Sequence, residues 1–286
     1  MKQEFWTLGL AFLVLGPIVG GLLAGIDRRL TARMQSRKGP PILQPFYDVL
    51  KLFEKRTTVV TSLQTLYIWC FLFFMVVSGV ILFLGSDLLM SLFALTVSGL
   101  FLCLAAYATS SPYSQIGSSR ELLLIMAYEP MMIIVPLGFF LATDSFRAAD
   151  VVAGEPSQVL KLAGVLLGFL FVLTIKLRKS PFDLSGSHHG HQELVKGITT
   201  DFSGSDLALV EIGHWYENVI LLGWLYLFFA PLGLAWALPI SLVLFFAEVL
   251  VDNTHARLKW ATTVRVSWLV AIVVGVTNLV ILPYIA

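Results

Sequence analysis

Charge is scarce in this sequence. Only 13% of its 286 residues are Asp, Glu, Lys or Arg, where a soluble domain carries roughly 25%. Hydrophobic residues make up 57%. The deficit excludes a soluble globular protein and points to an integral membrane protein. Cysteine is nearly absent as well. Cys70 and Cys103, each inside an apolar run, are too few for an iron–sulfur cluster, which needs about four thiolates, and their spacing suggests no disulfide. The sequence has no phosphate-binding glycine loop, haem ligand pair or nucleophile triad, no internal repeat and no soluble domain, so nothing in it holds an electron. The net charge of +1 says nothing about partners, and no nucleic-acid partner is expected. The first apolar run is followed by charges rather than by a small-residue cleavage site, so it reads as a span and not as a removable signal.

What is present is a series of long apolar runs. Runs of about 20 residues read as membrane-spanning helices, and eight are expected, at about 6–26, 66–85, 88–108, 122–142, 159–177, 207–229, 233–251 and 263–283. The expected fold is therefore an all-α membrane protein, a single membrane domain over 1–286. Short turns at Gly85–Asp87 and at Pro231–Gly233 predict tight antiparallel hairpins. Within the first loop, Ile42, Phe46, Val49, Leu50 and Phe53 recur at helical spacing with Asp48, Lys51 and Glu54 between them, which predicts an amphipathic helix over about 42–55. Sixteen of the nineteen lysines and arginines fall in the odd-numbered loops or at their edges. Only Lys2, Arg147 and Lys161 fall on the other side. The bias predicts cytoplasmic odd loops, termini outside, and a place in the inner (cytoplasmic) membrane.

One stretch stands apart, KLRKSPFDLSGSHHGHQELVKGITTDFSG at 176–204. It collects four basic residues, three acidic residues and three histidines between two hydrophobic runs. A polar loop this long is functional or disordered, and here a membrane pins both of its ends. His188, His189 and His191 form an H-H-x-H pattern. No cysteine is near to complete a zinc set, so a proton-buffering or partner-contacting loop is expected.

Acids inside the apolar runs carry the functional expectation. An ionisable group at the centre of a span costs about 2.5–3.5 kcal/mol on insertion scales and is kept facing protein or water. Glu129 precedes Pro130, with Pro136 further on, so a kinked and locally polar helix is expected around it. Glu211, His214 and Glu217 follow one another at spacings of three, which puts them on one face as a titratable stripe or a wet edge. Glu248 and Asp252 are one turn apart and precede Arg257 and Lys259; a cation there would neutralise Glu248. Arg28, Arg29, Arg33, Arg37 and Lys38 follow the first span and exceed what orientation requires.

Three segments resemble a known family. RMQSRKGPPILQPFYDVLKLFEK is similar to the stretch after the first helix in the membrane subunit of respiratory complex I that abuts the quinone chamber. GSSRELLLIMAYEP resembles that subunit's helix with a tyrosine–glutamate pair, here Tyr128 and Glu129. PFDL, ELVKG and T-x-x-S-G resemble its central cytoplasmic loop, matched by Pro181, Phe182, Asp183, Glu193, Leu194, Val195, Gly197, Thr200, Ser203 and Gly204. Two departures stand out: S-G-S-H-H-G-H-Q lies between PFDL and ELVKG, and Trp215–Tyr216 replaces a glutamate–tyrosine pair. This version looks like the related subunit of energy-converting, membrane-bound [NiFe] hydrogenases of the Ech and formate hydrogenlyase type.

The resemblance implies a subunit that is not itself a redox enzyme and has no catalytic or metal-ligating residue. The [NiFe] centre and iron–sulfur clusters would sit in partner subunits. These partners are hydrogenase large and small subunits, a ferredoxin-like iron–sulfur subunit and an antiporter-like membrane subunit. Protons, or sodium ions, would move through Glu129, Glu193, Glu211, His214, Glu217, Glu248 and Asp252. Arg33, Arg37, Lys38, Asp183, His188, His189 and His191 would contact the partner or transmit coupling, Arg33 and Arg37 by setting carboxylate pKa values. Two rivals stand beside this reading: a quinone-site subunit of a complex I-like dehydrogenase, and a passive anchor.

Overall fold

The structure is a computed structural model that describes residues 2–57, 61–182, 197–256 and 258–285. In lipid every backbone N–H and C=O must be satisfied within the segment, which leaves helices as the spanning element here. Seven helical stretches are long and apolar enough to cross a bilayer. They are α1 (Lys2–Met34), α3 (Ser62–Phe83), α4 (Leu88–Tyr107), α5 (Pro112–Thr143), α9 (Gly204–Phe229), α10 (Leu234–Thr254) and the pair α11 (Trp260–Val270) and α12 (Thr277–Ile285), joined by a π turn at Ala271–Val276. The amphipathic α2 (Gln44–Glu54), the short α6 (Ala148–Val152) and α7 (Gln158–Lys161), and α8 (Ala163–Lys176) complete the set.

Two elements differ from expectation in ways that shape the site. α5 begins at Pro112 and runs unbroken through Pro130 and Pro136 to Thr143. Its 32 residues measure about 48 Å, so Arg120 and Glu121 lie inside a helix and not in a loop. α8 is the opposite case. The expected span at 159–177 is split at Leu162, and α8 itself has only 14 residues, about 21 Å against a hydrocarbon core of about 30 Å. A helix that stops short brings the residues after it below the level at which its neighbours end.

α9 is the central helix and packs on α1, α2, α3 and α10, while α5 packs on α4, α8 and α11. The α3–α4 hairpin turns at Gly85, whose φ of +67° suits glycine, and Asp87 caps α4 by accepting from the Met90 N–H at 3.0 Å. Hydroxyls join the hairpin helices: Ser78 donates to the Ser91 carbonyl at 2.7 Å and Ser91 to that of Ser78 at 2.9 Å. Small residues of this kind let spanning helices approach closely. α1 meets α9 at Gly20, where a Cβ would lie 2.0 Å from the Trp215 carbonyl oxygen. Phe71, Phe139, Phe169, Trp224 and Phe228 are fully buried, whereas Trp6, Leu10, Val14 and Phe73 face outward, as lipid contact requires. Cys70 and Cys103 are free thiols.

Candidate functional site

Three cations at the end of the short α8 turn into the bundle and not toward water. Lys176, its last residue, is buried, with Nζ 3.2 Å from Glu217 Oε1 on α9 and 4.7 Å from the centre of the Tyr128 ring on α5. Arg178 follows in the left-handed region, at φ 51°, a conformation uncommon outside glycine. Its Nη2 donates to Glu121 Oε1 on α5 at 3.0 Å, and its Nη1 lies 3.7 Å from Glu217 Oε2 and 3.1 Å from His214 Nδ1. Arginine only donates, so His214 Nδ1 accepts and the ring proton sits on Nε2. The 3.4 Å approach of His214 Nδ1 to Glu217 Oε2 is then a contact between two acceptors and adds no bond.

The next residue points elsewhere. Lys179 Nζ bonds directly to Asp27 Oδ2 on α1 and lies 3.8 Å from Asp252 Oδ2 on α10. Asp252 Oδ1 also accepts from the Ser180 N–H at 2.8 Å, and the Pro181 carbonyl accepts from the Leu258 N–H at 3.0 Å. The seven residues 176–182 thus tie α1, α5, α9, α10 and the start of α11 together, and they lead straight into the central loop.

The electrostatics of the first cluster are balanced. Lys176 and Arg178 face Glu121 and Glu217, and three of the four side chains are at most 8% exposed. Arg178 lies beyond the end of α8. Burial opposes its charge, but Glu121 and Glu217 outweigh burial and raise its pKa above the ordinary arginine value. Removing one member of such a buried set costs about 3–5 kcal/mol, because the charge left behind is uncompensated. The arrangement can hold charge inside the membrane and move it only if the partners exchange.

Two further acids fasten the far end of the central loop. Asp206, buried at the start of α9, accepts from Thr65 at 2.9 Å. Asp201 accepts from Ser114 and, at 3.4 Å, from Thr109.

The expected site residues separate into groups. Glu217 and His214 stand in the balanced cluster, and Asp252 binds the segment after α8. Glu211 leaves the expected stripe and lines a groove of about 270 Å³ with Arg28, Asp48, Lys51 and Lys55, between α1, α2 and α9. Glu129 is half-buried and pairs with no described residue; its helix neighbour Tyr128 meets Lys176 instead. Arg33, Arg37 and Lys38 are exposed, and Arg37 bonds to Gln35. Among the described residues neither Arg33 nor Arg37 touches a carboxylate, so they do not set one by contact. The cations that do are Lys176, Arg178, Lys179 and the exposed Arg28, which pairs with Asp48 at 2.9 Å. Asp183, His188, His189, His191 and Glu193 lie outside the described residues. Among the described residues no group of three or more His, Cys, Asp or Glu side chains is placed to hold a metal ion.

Sequence reasoning missed Glu121 and Asp27. Glu121 sits seven residues before Tyr128, two turns along the same face, a spacing that was legible once α5 was known to start early. Asp27 was hidden beside Arg28 and Arg29.

Residues 7–283 match the family model described as NADH dehydrogenase. The chain belongs to the NADH dehydrogenase family. Within it, the chain is 30% identical to hydrogenase-4 component C of Escherichia coli K12, with 87% of each chain covered. It is 29% identical to formate hydrogenlyase subunit 4 of the same organism, covering 87% of this chain and 90% of that one. It is 27% identical to a membrane-family relative from Paramagnetospirillum magneticum, a component of its NADH-quinone oxidoreductase, covering 92% and 88%. In three dimensions it superposes on a chain of the membrane-bound sulfane sulfur reductase, an archaeal respiratory membrane complex, with a TM-score of 0.83 at 22% identity, over 96% of this chain and 99% of that one. The fold is shared, and the chain is a multi-pass membrane subunit of the complex I-like and hydrogenase-type group.

Proposed function

We propose that this chain is the membrane subunit of an energy-converting [NiFe] hydrogenase. It docks a ferredoxin-oxidising hydrogenase module and couples its redox reaction to translocation of protons, or of sodium ions. The observation that carries the reading is the segment 176–182, which plants three cations on carboxylates of α1, α5, α9 and α10 and continues directly into the central loop. A partner that pulls on the loop pulls on those ion pairs. When an ion pair inside a membrane opens, the freed carboxylate must regain a cation, and a proton is the smallest one available. The [NiFe] centre and the clusters belong to the hydrogenase large and small subunits and a ferredoxin-like subunit. An antiporter-like subunit completes the ion path. The relatives named hydrogenase-4 component C and formate hydrogenlyase subunit 4 support this branch, and so does the histidine-containing loop.

The test separates electron flow from ion flow. In membrane vesicles carrying the intact complex, Glu121→Gln and Glu217→Gln are expected to keep ferredoxin-linked hydrogen turnover and to lose most of the ion gradient. Full pumping in both variants at normal assembly would reduce the chain to a passive anchor. The relatives named for NADH:quinone chemistry favour a second reading, a quinone-site subunit. Stoichiometric quinone extracted from the purified complex would select it.

A further inference from the structure

The balanced cluster at Glu121, Arg178, Lys176 and Glu217 leaves a second group of acids unaccounted for. Lys179 meets Asp27 and Asp252, and one turn earlier on α10 stands Glu248, whose charge acts together with that of Lys179. Among the described residues this gives three carboxylates against one cation. Glu248 is 5% exposed, and its Oε2 has no hydrogen-bond partner. Asp27 Oδ1 is likewise buried and unpartnered. An ionised carboxylate with a bare oxygen at that depth is costly, and the neutral acid is the form such a site accepts.

The hydrogen bonding agrees. The Thr174 hydroxyl lies beside the Glu248 carboxyl, but its proton is directed to the Leu170 carbonyl, 3.2 Å away within α8. With that proton committed, the Thr174 oxygen offers lone pairs. Only a carboxyl that carries a proton can donate to it.

The elements packed on α10 contribute no second free cation at Glu248 among the described residues. α1 brings Asp27. α8 brings Thr174, and Lys176 is engaged by Glu217. α9 brings Glu217, already paired with Lys176 and Arg178. Exposure falls along the group, from 27% and 25% for the side chains of Asp27 and Asp252, through 13% for Lys179, to 5% for Glu248. This is a graded passage from water into the bundle. The absence of a metal-holding set among the described residues favours a proton over a metal ion as its occupant.

We infer that Glu248 is a proton-holding site, loaded from the aqueous end of α10 through Asp252 and Asp27, with Lys179 as the cation that moves between the three carboxylates. In the loading step a proton passes from an Asp252 or Asp27 carboxyl to the Glu248 carboxylate. Lys179 then rests on the aspartate that has lost it. The inference deepens the proposed coupling role and rests on it only for the use made of the proton.

Infrared difference spectroscopy of the purified complex reads the site directly, whatever the redox partner. The carbonyl stretch of a protonated carboxyl is expected in the parent protein, to shift in D₂O, and to vanish in Glu248→Gln. The Asp27→Asn, Asp252→Asn double variant is expected to keep the band and to slow its exchange by roughly 10²-fold, the size of a lost acid–base step. Thr174→Val covers the case in which Glu248→Gln does not assemble: the band should shift because its acceptor is gone. A spectrum unchanged by Glu248→Gln, or a band unmoved by Thr174→Val, overturns the assignment. Loss of pumping in the Glu121 and Glu217 variants is a separate result, so failure of the coupling reading and failure of this site remain distinguishable.

Discussion

Replacing Lys176 by Met removes one of two cations that hold Glu217. The carboxylate is 6% exposed, so water cannot take the place of the ammonium. What remains is Arg178 at 3.7 Å, whose guanidinium already serves Glu121 at 3.0 Å. A buried charge stripped of its partner costs about 3–5 kcal/mol, and Glu217→Gln should cost a similar amount by stranding Lys176. The double variant is different. Glu121 and Arg178 stay paired, the charge stays balanced, and methionine and glutamine fill nearly the same space. The double variant should therefore be more stable than the sum of the two singles by about 1–3 kcal/mol, the coupling range of residues in contact. Equilibrium unfolding of the detergent-solubilised protein in mixed micelles measures all four corners of the cycle. Additivity within about 0.5 kcal/mol would show that the two charges do not depend on one another, and the balanced-cluster argument would fail with it.

Other expectations concern single positions. Glu121→Gln should lower stability by more than 1.4 kcal/mol, about tenfold in the folding equilibrium, whereas Glu129→Gln, with no described partner to lose, should stay within about 0.5 kcal/mol in the same unfolding assay. Asp48→Asn, at the exposed pair with Arg28, should cost no more than about 1 kcal/mol and lose even that at high salt. Gly20→Ala places a methyl 2.0 Å from the Trp215 carbonyl, so α1 and α9 must part. A loss of about 1–3 kcal/mol from overpacking is expected, seen as reduced accumulation in the membrane. At Gly233 the space is open but φ is +86°, so Gly233→Ala should cost about 1–2 kcal/mol through backbone strain alone.

The spanning helices were legible because lipid leaves the backbone little choice. An apolar run of sufficient length becomes a helix whatever its neighbours do, and α3, α4, α9 and α10 lie close to their expected places. α2 was legible from period alone. The ends of α5 and α8 were not. Polar residues such as Ser114, Ser118 and Ser119 make 112–121 look like a loop, yet Ser118 donates to the Cys103 carbonyl at 2.9 Å and the segment is helix because α4 covers it. Lys176, Arg178 and Lys179 look like an orientation signal. Their real partners are 41, 57 and 152 residues away in sequence.

Composition and periodicity determined the class of this protein, its family resemblance, its helical spans and the presence of acids that only a protein interior would tolerate. They did so because burying charge or bare backbone in hydrocarbon is costly at any position. Which acid meets which cation was decided by tertiary structure. A helix shorter than the membrane is thick draws three cations inward, and helix rotation then selects Glu121 over Glu129 and parts Glu211 from Glu217. Side-chain pairing across distant helices depends on depth and azimuth, and neither is written in the local sequence.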